Sequence, residues 1–538
     1  MYSLTGAEGS RKKRFNIVLQ FFSALALLAP WLNPFAGGPT PSVIPWLVSA
    51  VCFSVFLIFV LASRIDAVAA IGPALLAAAV ISSVFGLLQY FGAAAAFAPW
   101  INTPSAGEAF ANLRQRNQFA TLTSIGMVAL LWFVRRGAGA GVARTAAHRT
   151  TSHIAQSVLP VFAVVLLAFG DAASTSRTGM VQLILIIALF CVWGGWRQPA
   201  VRRVLIAGGL AYAFAAYALP RLAGMDPTTA GILARLQEGD AVCASRLTLW
   251  GNVLHLIAQK PWSGWGWGVL VYAHFVTLYP GARFCDILDN AHNLPLHLAV
   301  VLGVPVTVLI CCLGLSLTWR SKPWRESDPT RQMAWGVLAV IMLHSMLEYP
   351  LWYGPFQITA GLCVWILWST HSSRSVNAGT EGPPQLKALR RKGMSLSKTV
   401  AGSTAVLLVA GVAYAAWDYH RIGQIYLAPE MRSLAYRENT MAKISKSWLF
   451  RRQVRFAELT TTEVTAENAV RVNAVAHDLL HFSPEGRVIE KLIDSALMLG
   501  REDEARFYLA RYRAAFPSQY ARWVETRGPS ADLQLPVD

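Results

Sequence analysis

Charge is what this sequence has least of. Only 14% of its 538 residues are Asp, Glu, Lys or Arg, while 54% are hydrophobic and the mean hydropathy is +0.42. About a quarter of the residues of a soluble domain are charged, so that class is excluded. Acidic residues are the scarcer sign, 29 against 47 basic ones. No acidic cluster forms a cage for a divalent cation. The seven cysteines show no zinc-type spacing. The glycines of Trp262–Gly268 follow no strand, so they are not a nucleotide loop. That tract reads as an interfacial aromatic belt with a turn.

What the sequence has is apolar runs long enough to cross about 30 Å of hydrocarbon. Eleven candidate spans are legible: 15–34, 42–62, 67–92, 117–134, 156–172, 179–196, 204–220, 296–317, 333–347, 354–370 and 399–417. The third is long enough to conceal a break, and the end of the loop before the eighth can dip into the membrane. The expected range is therefore ten to twelve. Arg11-Lys12-Lys13-Arg14 resembles the basic start of a signal peptide. No cleavage site follows and many spans do, so it reads as a retained anchor. The predicted class is an all-α polytopic membrane protein.

Orientation follows from the cations. With the N-terminus inside, the inward loops hold Arg11–Arg14, Arg64, Arg135, Arg136, Arg144, Arg149, Arg197, Arg202, Arg203, Arg320, Lys322, Arg325, Arg331 and the run Lys387–Lys398. The outward loops 35–41 and 348–353 hold no Lys or Arg. That is the positive-inside pattern, and it accounts for most of the net charge of +18. No nucleic-acid partner is needed to explain the basicity.

The expected division is a membrane domain, 1–418, with a large outward loop at 221–295, followed by a soluble outward helical domain, 419–538. A flexible inward linker is expected around Gly382-Pro383-Pro384. Ala496–Pro517 resembles one tetratricopeptide unit, with Gly500 in the turn and Ala505 at a tight helix contact. Cys52, Cys191, Cys311, Cys312 and Cys363 lie in spans and read as small apolar residues. Cys243 and Cys285 both fall in the large loop, where an oxidising compartment would join them as a disulfide.

Three cations, Arg114, Arg116 and Arg177, depart from the topology rule. Arg116-Asn117-Gln118 opens span four, Ser176-Arg177-Thr178-Gly179 opens span six, and Glu348-Tyr349-Pro350-Leu351-Trp352-Tyr353 opens span ten. Each inward-running helix presents the positive end of its dipole at the outer surface. Unpaired N–H groups there suit an anion, and an arginine beside them supplies a bidentate fork for phosphate. Arg246 joins from the loop, with Ser245 as N-cap. Leu247, Trp250, Leu254 and Ile257 form a stripe expected to lie on the interface. A lone arginine at a helix mouth is more often a snorkelling residue, and Glu348 could simply pair with one. His274 and His297 read as structural. Asp289-Asn290-Ala291-His292-Asn293-Leu294 is different: an imidazole flanked by amides opens span eight, and imidazole is suited to moving a proton near neutral pH.

An outer-rim site with several arginines and no metal cage suits a lipid-linked phosphate or pyrophosphate. Arginines would neutralise a leaving group, and a histidine would take the proton of an attacking hydroxyl. A flippase or exporter is the rival class. Transporters keep ionisable groups or broken helices near the midplane, whereas here the polar residues cluster at the rim.

Arg116-Asn117-Gln118, Ser176–Gly179, Ser245-Arg246 with Trp250, Pro261–Gly268 and Asp289–Leu294 together resemble the O-antigen ligase and polymerase superfamily. His344-Ser-Met-Leu-Glu348-Tyr349-Pro-Leu-Trp-Tyr353 and the domain after the last span resemble its PglL-type protein O-oligosaccharyltransferases. The resemblance runs from about residue 10 to the C-terminus. It implies a GT-C type glycosyltransferase of the bacterial inner membrane, without metal or other cofactor, whose loop and C-terminal domain are periplasmic. It would transfer a preassembled glycan from undecaprenyl pyrophosphate to Ser or Thr of a periplasmic protein such as pilin. Ligation of O-antigen to lipid A core, or polymerisation, is the alternative. The resemblance makes His292 the essential histidine and Arg177 and Arg246 the pyrophosphate ligands. Arg116, Asn117, Gln118 and Asn293 are further donor-binding candidates, and Asp289, Asn290, Glu348 and Tyr349 are supporting ones. The family's usual glycine before and proline after the glutamine are missing from Leu113-Arg-Gln-Arg-Asn-Gln118.

Overall fold

The protein is described from a computed structural model covering residues 3–62, 67–140, 149–226, 228–237, 242–377 and 384–527, with side chains at 16–61, 67–137, 158–226, 228–237, 242–370 and 402–526. Among these residues there are helices and turns and no strand. In chain order the helices are α1 (Ser3–Leu32), α2 (Val43–Ala62), α3 (Ala67–Tyr90), α4 (Arg116–Ala140), α5 (Arg149–Ala173), α6 (Arg177–Val192), α7 (Pro199–Leu222) and α8 (Gly231–Gln237). Then come α9 (Arg246–Gln259), α10 (Leu270–Val276), α11 (Leu294–Leu302), α12 (Val304–Ser321), α13 (Pro329–Ser345), α14 (Gly354–Asn377) and α15 (Pro384–Gly423). Six shorter helices close the chain: α16 (Thr440–Ile444), α17 (Arg451–Thr461), α18 (Ala469–Leu480), α19 (Gly486–Met498), α20 (Glu502–Ala515) and α21 (Pro517–Arg527).

Among the described residues, five helices are long and apolar enough to cross a membrane: Val43–Leu61, Ala67–Tyr90, Arg116–Gly137, Pro199–Leu222 and Val304–Arg325. Asn16–Leu32, Val158–Ala173 and Arg177–Val192 are apolar but shorter. The third expected span carries Pro73 but is one continuous helix. The eighth is not. It breaks at Gly303 into α11 and α12. Gly303 has φ of 85°, and a Cβ there would stand 2.2 Å from Trp262 O. The Trp262–Gly268 turn lies across the break: Val304 N–H donates to Pro261 O at 2.8 Å, and Trp265 N–H to Val300 O at 2.8 Å. Only glycine fits so close a backbone crossing.

The chain forms two compact units, one of residues 1–238 with 318–413, the other of 239–317 with the chain from 414 onward. In the first, α4 is the buried centre, contacted by α3, α5, α6, α7 and α13. Small residues let the helices approach, as expected where lipid offers no hydrophobic drive. Gly72 lies under the Trp132 ring, Gly86 under Phe119 and Gly126 against Ala79.

The second unit gathers the loop helices with the C-terminal ones, a grouping that the expected boundary at 418 did not contain. Burial of α10 is the cause. Phe275 is buried in the same apolar core as Val472, Leu492 and Leu509, and Tyr272 stacks on His481 with ring centres 3.8 Å apart. Arg511 Nε donates to Val276 O at 2.7 Å. In the C-terminal array α18 packs on α19 and α19 on α20. Gly500 turns with φ of 69°, and Ala505 is fully buried.

Cys243 and Cys285 are joined by a disulfide, with Cα atoms 5.2 Å apart and a sequence separation of 42. Closing a loop of that length restricts the unfolded chain by about 4 kcal/mol in the chain-entropy model. Mass-tag alkylation of the non-reduced protein should leave both thiols unlabelled, and Cys243→Ser should lower the melting temperature. Two freely labelled thiols would show that no such bridge forms.

Candidate functional site

The residues singled out above divide between the two units. In the first, α4 begins at Arg116 and α6 at Arg177. Ser176 is the N-cap of α6; its Oγ accepts from Gly179 N–H at 3.2 Å. Thr175 precedes it with φ of 53°, a left-handed conformation unusual for a β-branched residue. Two arginines hold that turn: Arg116 Nη1 donates to Thr175 Oγ1 at 3.4 Å, and Arg235 Nη1 from α8 donates to Thr175 O at 3.5 Å. Arg235 was not foreseen, because α8 is a short helix inside what reads as a long polar loop. Arg116 also pairs with Glu108 at 3.4 Å, both half-exposed. Such a pair contributes little to stability.

Glu348 lies in the turn after α13, with 3% of its surface exposed, and its N–H donates to His344 O at 2.8 Å. Its carboxylate accepts from Asn117 Nδ2 at 3.2 Å and from Gln115 Nε2 at 3.4 Å. Asn117 Oδ1 in turn accepts from Ser176 Oγ at 2.7 Å. Asn117 thus ties the start of α4, the cap of α6 and the turn after α13 into one polar network. One turn further along α4, Thr121 Oγ1 lies 2.8 Å from His344 Nδ1, and Gln182 Nε2 donates to Thr121 Oγ1 at 3.0 Å. Tyr349 stacks on Tyr353 with ring centres 6.0 Å apart. Gln118 points away from the network: it is 1% exposed, and its Nε2 has no hydrogen-bond partner among the described residues. α4 and α6 start at Arg116 and Arg177, and the N-terminal end of a helix carries the positive end of its dipole.

Asn117→Leu would leave the Glu348 carboxylate short of one donor. An unsatisfied buried polar group costs about 1–3 kcal/mol, so the melting temperature should fall by several degrees. An unchanged melting curve would mean that the network does not fasten these helices.

In the second unit the backbone around His292 is held on every side. Asn290 Oδ1 accepts the His292 N–H at 3.0 Å, and Ala291 N–H donates to His297 Nδ1 at 3.3 Å. Trp250 Nε1 on α9 donates to Ala291 O at 3.2 Å. Asn293 caps α11, its Oδ1 accepting from Leu296 N–H at 3.0 Å. His292 itself has φ of 50°, a strained conformation for a non-glycine residue that surrounding bonds must maintain. Its imidazole is pushed down to about pKa 3, first by burial, then by Arg246 and by His297. The ring is therefore neutral, and one nitrogen carries a lone pair. Asn290 is buried, whereas Asp289 is exposed.

Arg246 is the first residue of α9, behind Ser245, whose Oγ accepts from Thr248 N–H at 3.2 Å. The face of α9 that packs inside the protein is a second one, separate from the stripe expected on the interface. Leu249, Val253 and Leu256 are buried, while Leu247 and Leu254 are exposed, with 79% and 54% of their surface open. Both faces are apolar at helical spacing, and only tertiary packing decides which of them the protein itself buries. Trp250 and Ile257 are partly buried at the edge of that core. The disulfide and the bond from Cys285 N–H to Cys243 O at 3.2 Å tether the segments that lead to Arg246 and to His292.

His274 and His297 are engaged in packing. His274 Nδ1 lies 2.8 Å from the Tyr279 hydroxyl and Nε2 3.2 Å from Phe284 O. Burial and Arg283 push its pKa down to about 3. Among the described residues no group of three or more His, Cys, Asp or Glu could hold a metal ion.

Three family profiles match the chain in separate stretches. The protein glycosylation ligase profile covers residues 109–133, around Arg116–Gln118. The O-antigen ligase profile covers 162–311, which contains Arg177, Arg246 and His292. The C-terminal profile of the virulence factor membrane-bound polymerases covers 332–529, which contains Glu348 and the last helices. The chain is 23% identical over 309 residues to a general O-oligosaccharyltransferase of Acinetobacter baylyi, covering 54% of this chain and 49% of that protein. It is 25% identical over 268 residues to a ComP-specific O-oligosaccharyltransferase of the same organism, covering 48% of this chain and 44% of that one. The chain thus spans about half the length of the curated relatives it matches. No solved structure matches it. A histidine beside an arginine, arginines opening two further helices, and the profiles that cover them point the same way: the chain is similar to the PglL-type members of the O-antigen ligase and polymerase superfamily.

Proposed function

We propose that this protein is a membrane glycosyltransferase that moves a preassembled oligosaccharide from undecaprenyl pyrophosphate to Ser or Thr of periplasmic proteins such as pilin. The observation that carries the reading is the neutral imidazole of His292, held by burial and by Arg246 on a loop fixed by Asn290, Asn293 and Trp250. In the proposed step the acceptor hydroxyl oxygen attacks the anomeric carbon. The bond from that carbon to the pyrophosphate oxygen breaks, and the hydroxyl proton passes to His292. Arg177 and Arg246 hold the pyrophosphate and take up the charge that develops on it, as fixed cations do for a developing anion. No metal is assigned a part.

The proposal includes the topology: about eleven spans in the bacterial inner membrane, the N-terminus cytoplasmic, and the His292 loop and C-terminal helices periplasmic. The 419–538 helices are proposed to form a tetratricopeptide-like acceptor-side domain. Relatives named as oligosaccharyltransferases support the protein acceptor, and the ligase profile supports the alternative, transfer to lipid A core or to another repeat unit. Expression with a lipid-linked glycan pathway and a candidate pilin discriminates between them. A mass shift on the pilin is the expected result; a shift on lipopolysaccharide alone would transfer the proposal to the alternative.

A further inference from the structure

Gln118 lies on the wall of an internal chamber. Its carboxamide lines a chamber of about 250 Å³ in the first unit, together with Asn33, Ser42, Arg114 and Gln115, and no carboxylate lines that chamber. Its Nε2 has no hydrogen-bond partner among the described residues, and buried amide donors in folded proteins are met by acceptors, so the chamber suits a ligand that brings one. Arg114 stands across it with φ of 60°, another left-handed non-glycine residue, and its guanidinium donates to Pro34 O. The chamber therefore offers a cation and an amide donor, which suit a phosphate oxygen.

The chamber shares two of its wall residues, Trp46 and Gly354, with a second cavity of about 680 Å³. That one is an apolar groove along α2 and α14, walled by Phe53, Leu57, Leu61, Ile358 and Trp365. Trp46 is pinned at the junction by a hydrogen bond from its Nε1 to Trp352 O at 3.1 Å. The groove follows α2 from Trp46 to Leu61, a length of about 22 Å at about 1.5 Å per residue. One leaflet supplies about 15 Å, half of the hydrocarbon thickness. A groove longer than one leaflet suits a chain longer than the acyl chain of an ordinary phospholipid.

We propose that the chamber and groove form a berth for a polyprenyl phosphate lipid, separate from the pyrophosphate ligands Arg177 and Arg246. Its phosphate sits against Arg114 and Gln118, and its isoprenoid chain runs between α2 and α14. Gln118 thereby leaves the donor-transfer site assigned to it from the sequence and becomes the head-group ligand of this second site. The choice of lipid rests on the lipid-linked donor of the proposed function; the site itself rests on the cavity.

The test uses the full chain carrying p-benzoylphenylalanine at position 53, in phosphatidylethanolamine and phosphatidylglycerol vesicles containing undecaprenyl phosphate. Irradiation should give a saturable adduct with the mass of undecaprenyl phosphate. Gly361 lines the groove, and a Cβ there meets no atom within 4 Å. Gly361→Phe should therefore fill the groove and cut the adduct about 10-fold. Gln118→Leu and Arg114→Gln should each raise the half-saturating lipid concentration about 10-fold, the equivalent of one charge-assisted hydrogen bond. Should Gly361→Phe fail to insert, the two head-group variants decide. Adducts only with the bulk phospholipids, or an undecaprenyl phosphate adduct indifferent to all three substitutions, would overturn the berth. Arg177→Ala should keep the adduct while losing pilin modification. A wild-type chain that forms the adduct but never modifies pilin would sink the proposed function and leave the berth standing.

Discussion

His292→Ala is expected to abolish glycan transfer while binding of the lipid-linked donor survives. A serine or threonine hydroxyl is a weak nucleophile, and positioned general bases contribute about 10²–10⁴-fold in rate. Burial, Arg246 and His297 push the His292 pKa down to about 3, which weakens it as a base but keeps the ring neutral and able to accept a proton. At pH 5 an ordinary imidazole is almost fully protonated, whereas His292 is still neutral. Wild-type turnover should thus stay level between pH 7 and about 5 and fall only as pH approaches 3. Arg246→Gln removes one of the charges that disfavour imidazolium, so the acid limb of its residual activity should move to higher pH. The same shift has a stability consequence. Between pH 6.5 and about 3 the unfolded chain binds a proton at this site that the folded chain refuses, so folding stability falls as pH drops through that window. Near-normal transfer by His292→Ala would show that this motif is not catalytic. If donor binding disappears as well, His292 is a ligand, and the base must be sought at Asp289 or Glu348.

Arg177→Ala and Arg246→Ala should each lower turnover about 10²–10³-fold, the loss typical of removing one preorganised donor from a developing anion, in protein that still folds and inserts. Each arginine is the first residue of a helix behind a serine cap, Ser176 for α6 and Ser245 for α9. The guanidinium and the helix N–H groups therefore act from the same end of the helix. Lysine should rescue poorly, because an ammonium keeps the charge and loses the planar fork. Arg116→Ala should cost much less: its guanidinium is engaged with Glu108 and Thr175 and supports the turn before α6. Turnover and melting temperature measured on the same preparations separate the two roles. Full activity of both lysine variants would show that a diffuse positive field is enough.

Much of this could be read from local chemistry. Helix starts at Arg116, Arg177 and Arg246 follow from a polar or capping residue meeting an apolar run, and α4, α6 and α9 begin there. The Cys243–Cys285 pairing is visible from two cysteines sharing one loop. Span eight was read as continuous because its composition is continuous, and nothing in a hydropathy profile marks Gly303 as the point where another backbone crosses. The second apolar face of α9, Leu249, Val253 and Leu256, is buried inside the protein, and that burial depends on what lies opposite.

By itself, then, the sequence determined what depends on composition and on neighbours along the chain: helical membrane character, the helix starts with their arginines, and the amides flanking His292. Tertiary structure alone decided which distant groups share a hydrogen bond. It set Asn117 between Glu348 and Ser176, brought Arg235 onto Thr175, fastened Ala291 to Trp250, and left Gln118 facing a chamber instead of the network. The physical reason is one of range. Propensity and capping act over a few residues, whereas burial and the pairing of polar groups are satisfied by partners tens to hundreds of residues away, which no local pattern encodes.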